Sequence, residues 1–382
     1  MADTVSQGTY HGGMADLFPV DVYDRRLTRA AELCREEGLA GLIIGTGPEL
    51  AYLTGSWVSS HERLTVLVIP AEGRPVLLAP ATDIGDLERS ALPHLDVVVR
   101  GWVDGDDAHA WAAAVLDHGP VALGSSLTTV HVLRLQELLD APTLPAATTL
   151  KELFMRKDPA EIEELALAAA AIDRVHERVP ALLRPGRTEA AVAADLSALI
   201  LKEHDVVDFV IVGSGPNGAN PHHSHSGREL VTGDVVVVDV GGTRGPGYHS
   251  DSTRTYVVGG PEEASREVRN AYRVLQDAHG AALAQARPGV TAASVDAAAR
   301  AVIEEAGLGE YFIHRTGHGI GLSTHEEPYI MAGNGLVLEP GMCFSIEPGI
   351  YLPGKWGMRL EDIVVVTDTG AESLTRQERE LR

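Results

Sequence analysis

Apolar positions recur at helical spacing from Val20 to Glu37 and stop at Gly38, a residue suited to the left-handed turn that closes a helix. Short apolar runs follow at Leu42–Ile44, Thr65–Ile69, Pro75–Leu78, Val97–Val99 and Val121–Leu123. Helical patterns at Ala81–Ser90 and Asp107–Leu116 separate several of them. This alternation predicts an α/β domain of about 140 residues. Pro142–Pro145 and Lys157-Asp158-Pro159 punctuate its end, and the boundary is expected near Thr149.

Beyond it, Glu161–Leu183 and Thr188–Glu203 read as helices and Asp208–Val212 as a strand. Glu262–Gln285 and Ala292–Glu305 read as two more helices, and strands around Phe344 and Val364 close the chain. The order helix, helix, strands occurs twice, which predicts two similar halves. Residues 1–18 read as a polar, glycine-containing tail, with Met14 a second candidate start.

Each half carries acids at mirrored positions of a hairpin. In GDVVVVDVGGTRGPGYHSDSTRT, Val235–Val238 and Thr253–Val258 read as strands and Gly241–Gly247 as the turn. Asp239 and Asp251 are equidistant from Gly245, so they are expected to face each other across the ladder. Glu347 and Glu361 are likewise equidistant from Gly354 in SIEPGIYLPGKWGMRLED. Two unit charges about 4 Å apart interact by roughly 4 kcal/mol at an effective dielectric near 20. Four gathered acids must therefore protonate or bind cations, and two divalent ions would cancel four carboxylates.

Composition narrows the partners. A formal net charge of −23 over 382 residues argues against nucleic acid and anionic membranes, which both require a basic face. The two cysteines, Cys34 and Cys343, are too few for a disulfide framework and read as small buried hydrophobes, which fits a reducing, cytoplasmic compartment. Neither a signal peptide nor a membrane-spanning run is found.

The histidines complete a candidate site. Gly317 and Gly319 flank His318, so its backbone can approach a ligand closely, which makes His318 a candidate metal ligand. His325 follows in THEEP, which is not an HExxH zinc helix, because no second histidine stands four residues on. Pro221-His222-His223-Ser224-His225 reads as a substrate-contacting loop in preference to a second metal cluster. GSGPNG lacks the lysine of a phosphate loop. Four carboxylates and one imidazole exceed the shell of one tetrahedral zinc and favour a pair of divalent ions, Mn²⁺ first, with Co²⁺, Zn²⁺ and Fe²⁺ as alternatives. Such a pair yields a bridging hydroxide at neutral pH, suited to hydrolysing an amide or ester.

These stretches resemble the pita-bread-fold metallopeptidase family that includes prolidase, Xaa-Pro aminopeptidase and methionine aminopeptidase. EEGLAGLIIGTGPELAYLTG, with Tyr52-Leu53-Thr54-Gly55, resembles the creatinase-type N-terminal domain, and Lys157-Asp158-Pro159-Ala160-Glu161-Ile162 resembles the lead into the catalytic domain. The resemblance implies an α+β chain, with a creatinase-like α/β domain at 19–149 and a duplicated pita-bread catalytic domain at 150–382. It implies that Asp239 binds one metal, that Asp251 and Glu361 bridge the two, and that His318 and Glu347 complete the other. Glu347 would also shuttle the proton. His222 and His325 would contact substrate and stabilise the tetrahedral intermediate, while Tyr351 and Arg359 would supply support and substrate contacts.

The implied activity is removal of the residue preceding proline from a peptide or dipeptide, by a cytoplasmic homodimer. A dipeptidase needs a partner for the substrate's carboxylate, for which Arg359 or a residue of a second subunit could serve. Alternatives are hydrolysis of a non-peptide C–N bond, creatinase-like or in a cyclic compatible solute, and a non-catalytic binding protein of the same fold. One departure stands out: eleven residues separate Asp239 from Asp251, one more than expected of close relatives. A bulge could absorb it, whereas a one-residue register shift would turn Asp251 to the wrong face.

Overall fold

The computed structural model describes residues 17–382, so Met14 and nearly all of the expected tail lie outside the described residues. The chain divides into a compact unit that ends at Phe154 and a second that runs Met155–Arg382.

The first unit opens with α1 (Val20–Glu37), closed by Gly38 in the left-handed region at φ 68°, as the spacing predicts. There follow β1 (Gly41–Gly45), α2 (Pro48–Thr54), β2 (Val66–Pro70), β3 (Val76–Pro80), α3 (Ile84–Leu87), β4 (Val98–Trp102), α4 (Ala108–Ala113), β5 (Val121–Leu123), α5 (Thr129–Leu139), β6 (Thr143–Pro145) and α6 (Ala146–Met155). The strands form one mixed sheet in the order β4-β3-β2-β1-β5-β6. The boundary expected at Thr149 falls inside α6 and is corrected to 154/155. Thr149 is buried and donates to Glu37 of α1 at 2.6 Å, which ties this helix to the first unit.

In the second unit α7 (Pro159–His176) starts at a capping box: Asp158 accepts from the Ala160 and Glu161 amides, and Glu161 reaches back to the Asp158 amide. The expected continuous helix to Leu183 is broken. Pro180 has no N–H to give and would crowd the carbonyl four residues back, so the chain restarts as α8 (Val179–Leu182). α9 (Glu189–Glu203), β7 (Val206–Ser214), β8 (Val235–Arg244), β9 (Tyr248–His249) and β10 (Ser252–Val257) complete the first half. The second half comprises α10 (Arg266–Gln285), α11 (Ala292–Glu305), β11 (Gly317–Gly319), β12 (Glu326–Ile330), β13 (Cys343–Ile346), β14 (Gly349–Leu352), β15 (Trp356–Arg359), β16 (Asp362–Val366) and β17 (Ala371–Ser373).

Helices followed by a sheet thus occur twice, each with its own core. In one, Ile172, Val175, Leu196 and Ile200 of the helices meet Val236, Val238, Val240 and Tyr256 of the sheet. In the other, Leu275, Val295 and Ile303 meet Phe344, Ile346 and Val364. Strand side chains alternate between faces, so Asp239 lies on the face of β8 that looks away from its helices. By the same alternation Glu347 and Glu361 lie opposite the face that carries Phe344, Ile346 and Val364. Among the described residues, no helix is long and apolar enough to cross a membrane.

Candidate metal centre

Backbone register sets where the acids stand. Thr253 pairs with Asp239 and Ser252 with Val240, while His249 pairs with Thr243 and Tyr248 with Arg244. The ladder is therefore centred on Pro246, and direct opposition of Asp239 and Asp251 about Gly245 is corrected. Asp251 sits two residues from opposition, diagonal to Asp239 and still on its face. A one-residue slip of Asp251 to the opposite face therefore does not occur.

In the second hairpin every pairing is centred on Gly354, as the spacing predicts. Cys343–Val365 through Ile346–Asp362 pair, and Gly349–Arg359 through Leu352–Trp356 pair. Glu347 and Glu361 face each other at the interruption between these runs. The two hairpins are bonded to one another: the Glu361 amide donates to Thr253 O at 3.1 Å, and the Arg359 amide to Thr255 Oγ1 at 3.0 Å.

His318 reaches the acids from β11. A Cβ at Gly317 would fall 1.8 Å from Ser345 O, and one at Gly319 would fall 2.2 Å from Glu327 O, so the backbones approach only because both positions are bare. His318 Nδ1–H donates to Gly319 O at 3.0 Å. Its Nε2 is therefore the nitrogen presented to the site, 3.2 Å from Glu347 Oε1 and 3.6 Å from Asp251 Oδ2.

Ligand atoms within 4.8 Å of one another form three groups: Asp239, Asp251 and Glu361; His318, Glu347 and Glu361; and Asp251, His318 and His325. Glu361 belongs to the first two and Asp251 links the first to the third. Burial pushes Asp251 and Glu361 well above the usual carboxylate range, reinforced by the neighbouring acids. Asp239 is also raised by burial, although Arg359 opposes it. Burial resists ionisation of Glu347 as well, but the hydrogen bond and charge of His318 outweigh it and hold that carboxyl at about 2. Asp239 Oδ1 is buried without a hydrogen-bond partner. Clustered acids of raised affinity for protons, an orphaned carboxylate oxygen and an imidazole nitrogen facing them fit divalent cations.

Arg359 is 4% exposed and its donors are engaged: Nε on Thr253 Oγ1 at 2.9 Å, Nη1 on Tyr351 OH at 2.8 Å, and Nη2 on Asp239 Oδ2. Arg359 and Tyr351 are both buried beside the ligands, with Arg359 bonded to Tyr351 and to Asp239, which is the supporting position expected of them. His314 Nδ1–H donates to Arg315 O at 2.7 Å, so its Nε2 accepts from Tyr351 OH at 2.9 Å. Sequence reasoning missed His314, Thr253 and Ser345. Thr253 Oγ1 donates to Glu361 Oε2 at 2.8 Å, and Ser345 Oγ to Glu347 Oε1 at 3.1 Å. Thr253 lies two residues past Asp251 and Ser345 two before Glu347, a period-2 signal that could have found them.

His325 is exposed at the edge of the cluster, its ring centroid 3.9 Å from that of His318. Partial burial, then the charge of His318, push its pKa down to about 4. His222 is exposed on a loop whose Pro221 O accepts from Arg359 Nη1 at 3.4 Å. That loop is anchored by Glu189, which accepts from His223, Ser226, Asn217 and Ser214. Burial disfavours the Glu189 anion, but these donors hold it at about 2. Among the described residues the groups able to hold a metal contain none of His222, His223 and His225. Cys34 and Cys343 are free and buried, and burial pushes both thiols up to about 12, so neither is a ready nucleophile.

Residues 163–368 match Metallopeptidase family M24, and residues 26–153 match the Creatinase/Prolidase N-terminal domain. The probable dipeptidase PepE of Mycobacterium tuberculosis is 55% identical over 367 residues, covering 95% of this chain and 97% of that protein. The Xaa-Pro dipeptidase of Lactobacillus helveticus is 35% identical over 353 residues, covering 87% of this chain and 92% of that protein. The crystal structure of dipeptidase PepE from Mycobacterium ulcerans superimposes with a TM-score of 0.91 at 54% identity, covering 95% of this chain and 98% of that one.

Proposed function

The chain belongs to metallopeptidase family M24 and is a metallo-exopeptidase, and from that premise we propose that it removes the N-terminal residue of Xaa-Pro peptides at a site holding two divalent cations. The observation that carries this reading is the sharing of Glu361 between one all-carboxylate group and one that includes His318. Asp239, Asp251, His318, Glu347 and Glu361 would hold the pair. When bound, the ions supply activated water at neutral pH and polarise the scissile carbonyl.

The side chains do the rest. Glu347 is ionised at neutral pH and is the acceptor for the proton that water loses, which it then delivers to the leaving imino nitrogen. His325 is neutral there, so a ring N–H can donate to the carbonyl oxygen as it gains charge. His222 approaches the substrate from the loop anchored by Glu189. Arg359 and Tyr351 hold the ligand set from behind. Selectivity for proline is supported by the Lactobacillus helveticus relative, whose name gives Xaa-Pro as its substrate. An oxygen-rich donor set favours Mn²⁺. Two free, buried cysteines suit the cytoplasm. A homodimer is the assembly proposed from the family resemblance.

Elemental analysis, followed by proline release from Ala-Pro and cleavage of Ala-Pro-Ala with and without Mn²⁺, tests this. Metal-dependent turnover of either peptide supports it, and the preferred one separates dipeptidase from aminopeptidase. Bound metal with no turnover of either would favour hydrolysis of a non-peptide C–N bond. Activity indifferent to chelator would overturn the metal mechanism.

A further inference from the structure

The segment that carries His325 is gripped from two sides by residues outside the metal centre. On one side Lys157, just before α7, meets Glu326, the residue after His325. Their side chains are 3% and 11% exposed, and Nζ contacts Oε1 directly. Gly321 makes room for this pair: a Cβ there would fall 2.7 Å from both Lys157 Nζ and Glu326 Oε1. On the other side stands the tip of the first hairpin. The His249 amide donates to Gly321 O at 3.0 Å, its Nε2 donates to Leu322 O at 3.3 Å, and its Nδ1 bonds Asp208 Oδ2 at 2.7 Å. Tyr248 OH donates to Glu161 Oε1 at 2.8 Å, and Glu161 belongs to the capping box that fixes the start of α7 beside Lys157.

A buried lysine–glutamate pair is a poor source of net stability, because desolvation offsets most of its Coulombic attraction. What it does provide is geometry. Glu326 pairs with Gly319 across β11 and β12, so fixing its carboxylate fixes the strand position next to His325 and opposite the residue that follows His318. We propose that Lys157, acting through Glu326, is a positioning residue that holds His325 against the metal centre. The proposal rests on the reading of His325 as a substrate contact, and it gives the extended hairpin tip, with His249, the task of bracing the same segment.

The test is a mutant cycle on the metal-loaded enzyme. Lys157→Met is expected to lower kcat by about 10–100-fold, the range for a residue that orients a functional histidine, with KM and metal content changed by less than about twofold. In a His325→Ala background the same change is expected to cost less than about twofold, because the group it acts through is gone. Lys157→Arg, which keeps the charge, is expected to recover most of kcat. A crystal structure of Lys157→Met is expected to show the His325 ring displaced from its place against His318. Losses that multiply in the double variant, or an undisplaced ring, would overturn the proposal. Should Lys157→Met fail to fold, Glu326→Gln, of nearly equal volume, carries the same cycle. If the wild type cleaves no Xaa-Pro peptide, the functional reading fails while the ring position still decides the inference.

Discussion

Glu347 and Glu361 face each other at the break in a hairpin whose pairing keeps one register from Cys343–Val365 to Leu352–Trp356. Their opposition follows from the backbone pairing on either side of them. Glu361→Gln and Asp251→Asn keep shape and remove charge. Each is expected to abolish turnover by more than about 100-fold while the circular dichroism of the folded protein is unchanged. Without metal, each variant is expected to be more resistant to urea than the wild type, because it removes one member of a repelling cluster. Wild-type turnover in either would be incompatible with the ligand assignment.

Metal removal is expected to destabilise the protein in a pH-dependent way. Asp239, Asp251 and Glu361 have folded-state pKa values raised above their unfolded ones, mainly by burial. The native state then binds more protons than the unfolded state, so stability falls as pH rises from the unfolded carboxylate value of about 4 through the raised folded values. Chelator is expected to lower the melting temperature more at pH 7.5 than at pH 5.5. An equal effect at both would show that burial and the neighbouring acids do not raise these carboxyls above their unfolded values.

Much of this centre was legible because its signals are local. Gly38 marked the end of α1, and the mirror spacing about Gly354 matched the observed pairing. The first hairpin misled for a physical reason. Gly241 and Gly242 read as turn residues, yet they lie within β8 because a Cβ there would fall 2.4 Å from the Phe209 ring and 2.8 Å from His204. Strand glycines that admit a neighbouring ring look like turn glycines in a sequence. The position of Arg359 was legible but its burial was not, since the groups that engage it come from residues as far away as Pro221 and Asp239. The pairing of Lys157 with Glu326, 169 residues apart, gave no local signal.

Arg359→Lys discriminates a structural arginine from a substrate clamp. A lysine offers one point charge in place of a planar fork, so it cannot bond Thr253, Tyr351 and Asp239 together. Turnover and metal affinity are expected to fall by about 10–100-fold. KM for Ala-Pro is expected to change no more than KM for Ala-Pro-Ala, because each guanidinium nitrogen already has a partner within the protein. A KM rise confined to the dipeptide would show Arg359 to be a substrate contact.

The last expectation concerns a histidine that supports the fold behind the first hairpin. His176 is fully buried on α7, and its Nε2–H donates to Ser252 O at 3.0 Å, so Nδ1 accepts from Tyr256 OH at 2.9 Å. Burial, then the positive charge of Arg254, push its pKa down to about 3. His176 is therefore neutral in the folded protein down to low pH, whereas in the unfolded chain it takes up a proton below about 6.5. Its contribution to stability is fully present above the unfolded value and is lost as pH falls from there towards the folded value. His176→Gln keeps an amide N–H for Ser252 and an oxygen for Tyr256 without the titration. The variant is expected to be less stable than the wild type at pH 7.5, and its deficit in urea unfolding is expected to shrink by on the order of 2 kcal/mol at pH 5. Because both proteins carry the same acids and bind the same ions, the difference isolates the imidazole. A deficit that stayed constant across that range would mean that His176 takes up a proton as readily in the native state as in the unfolded chain.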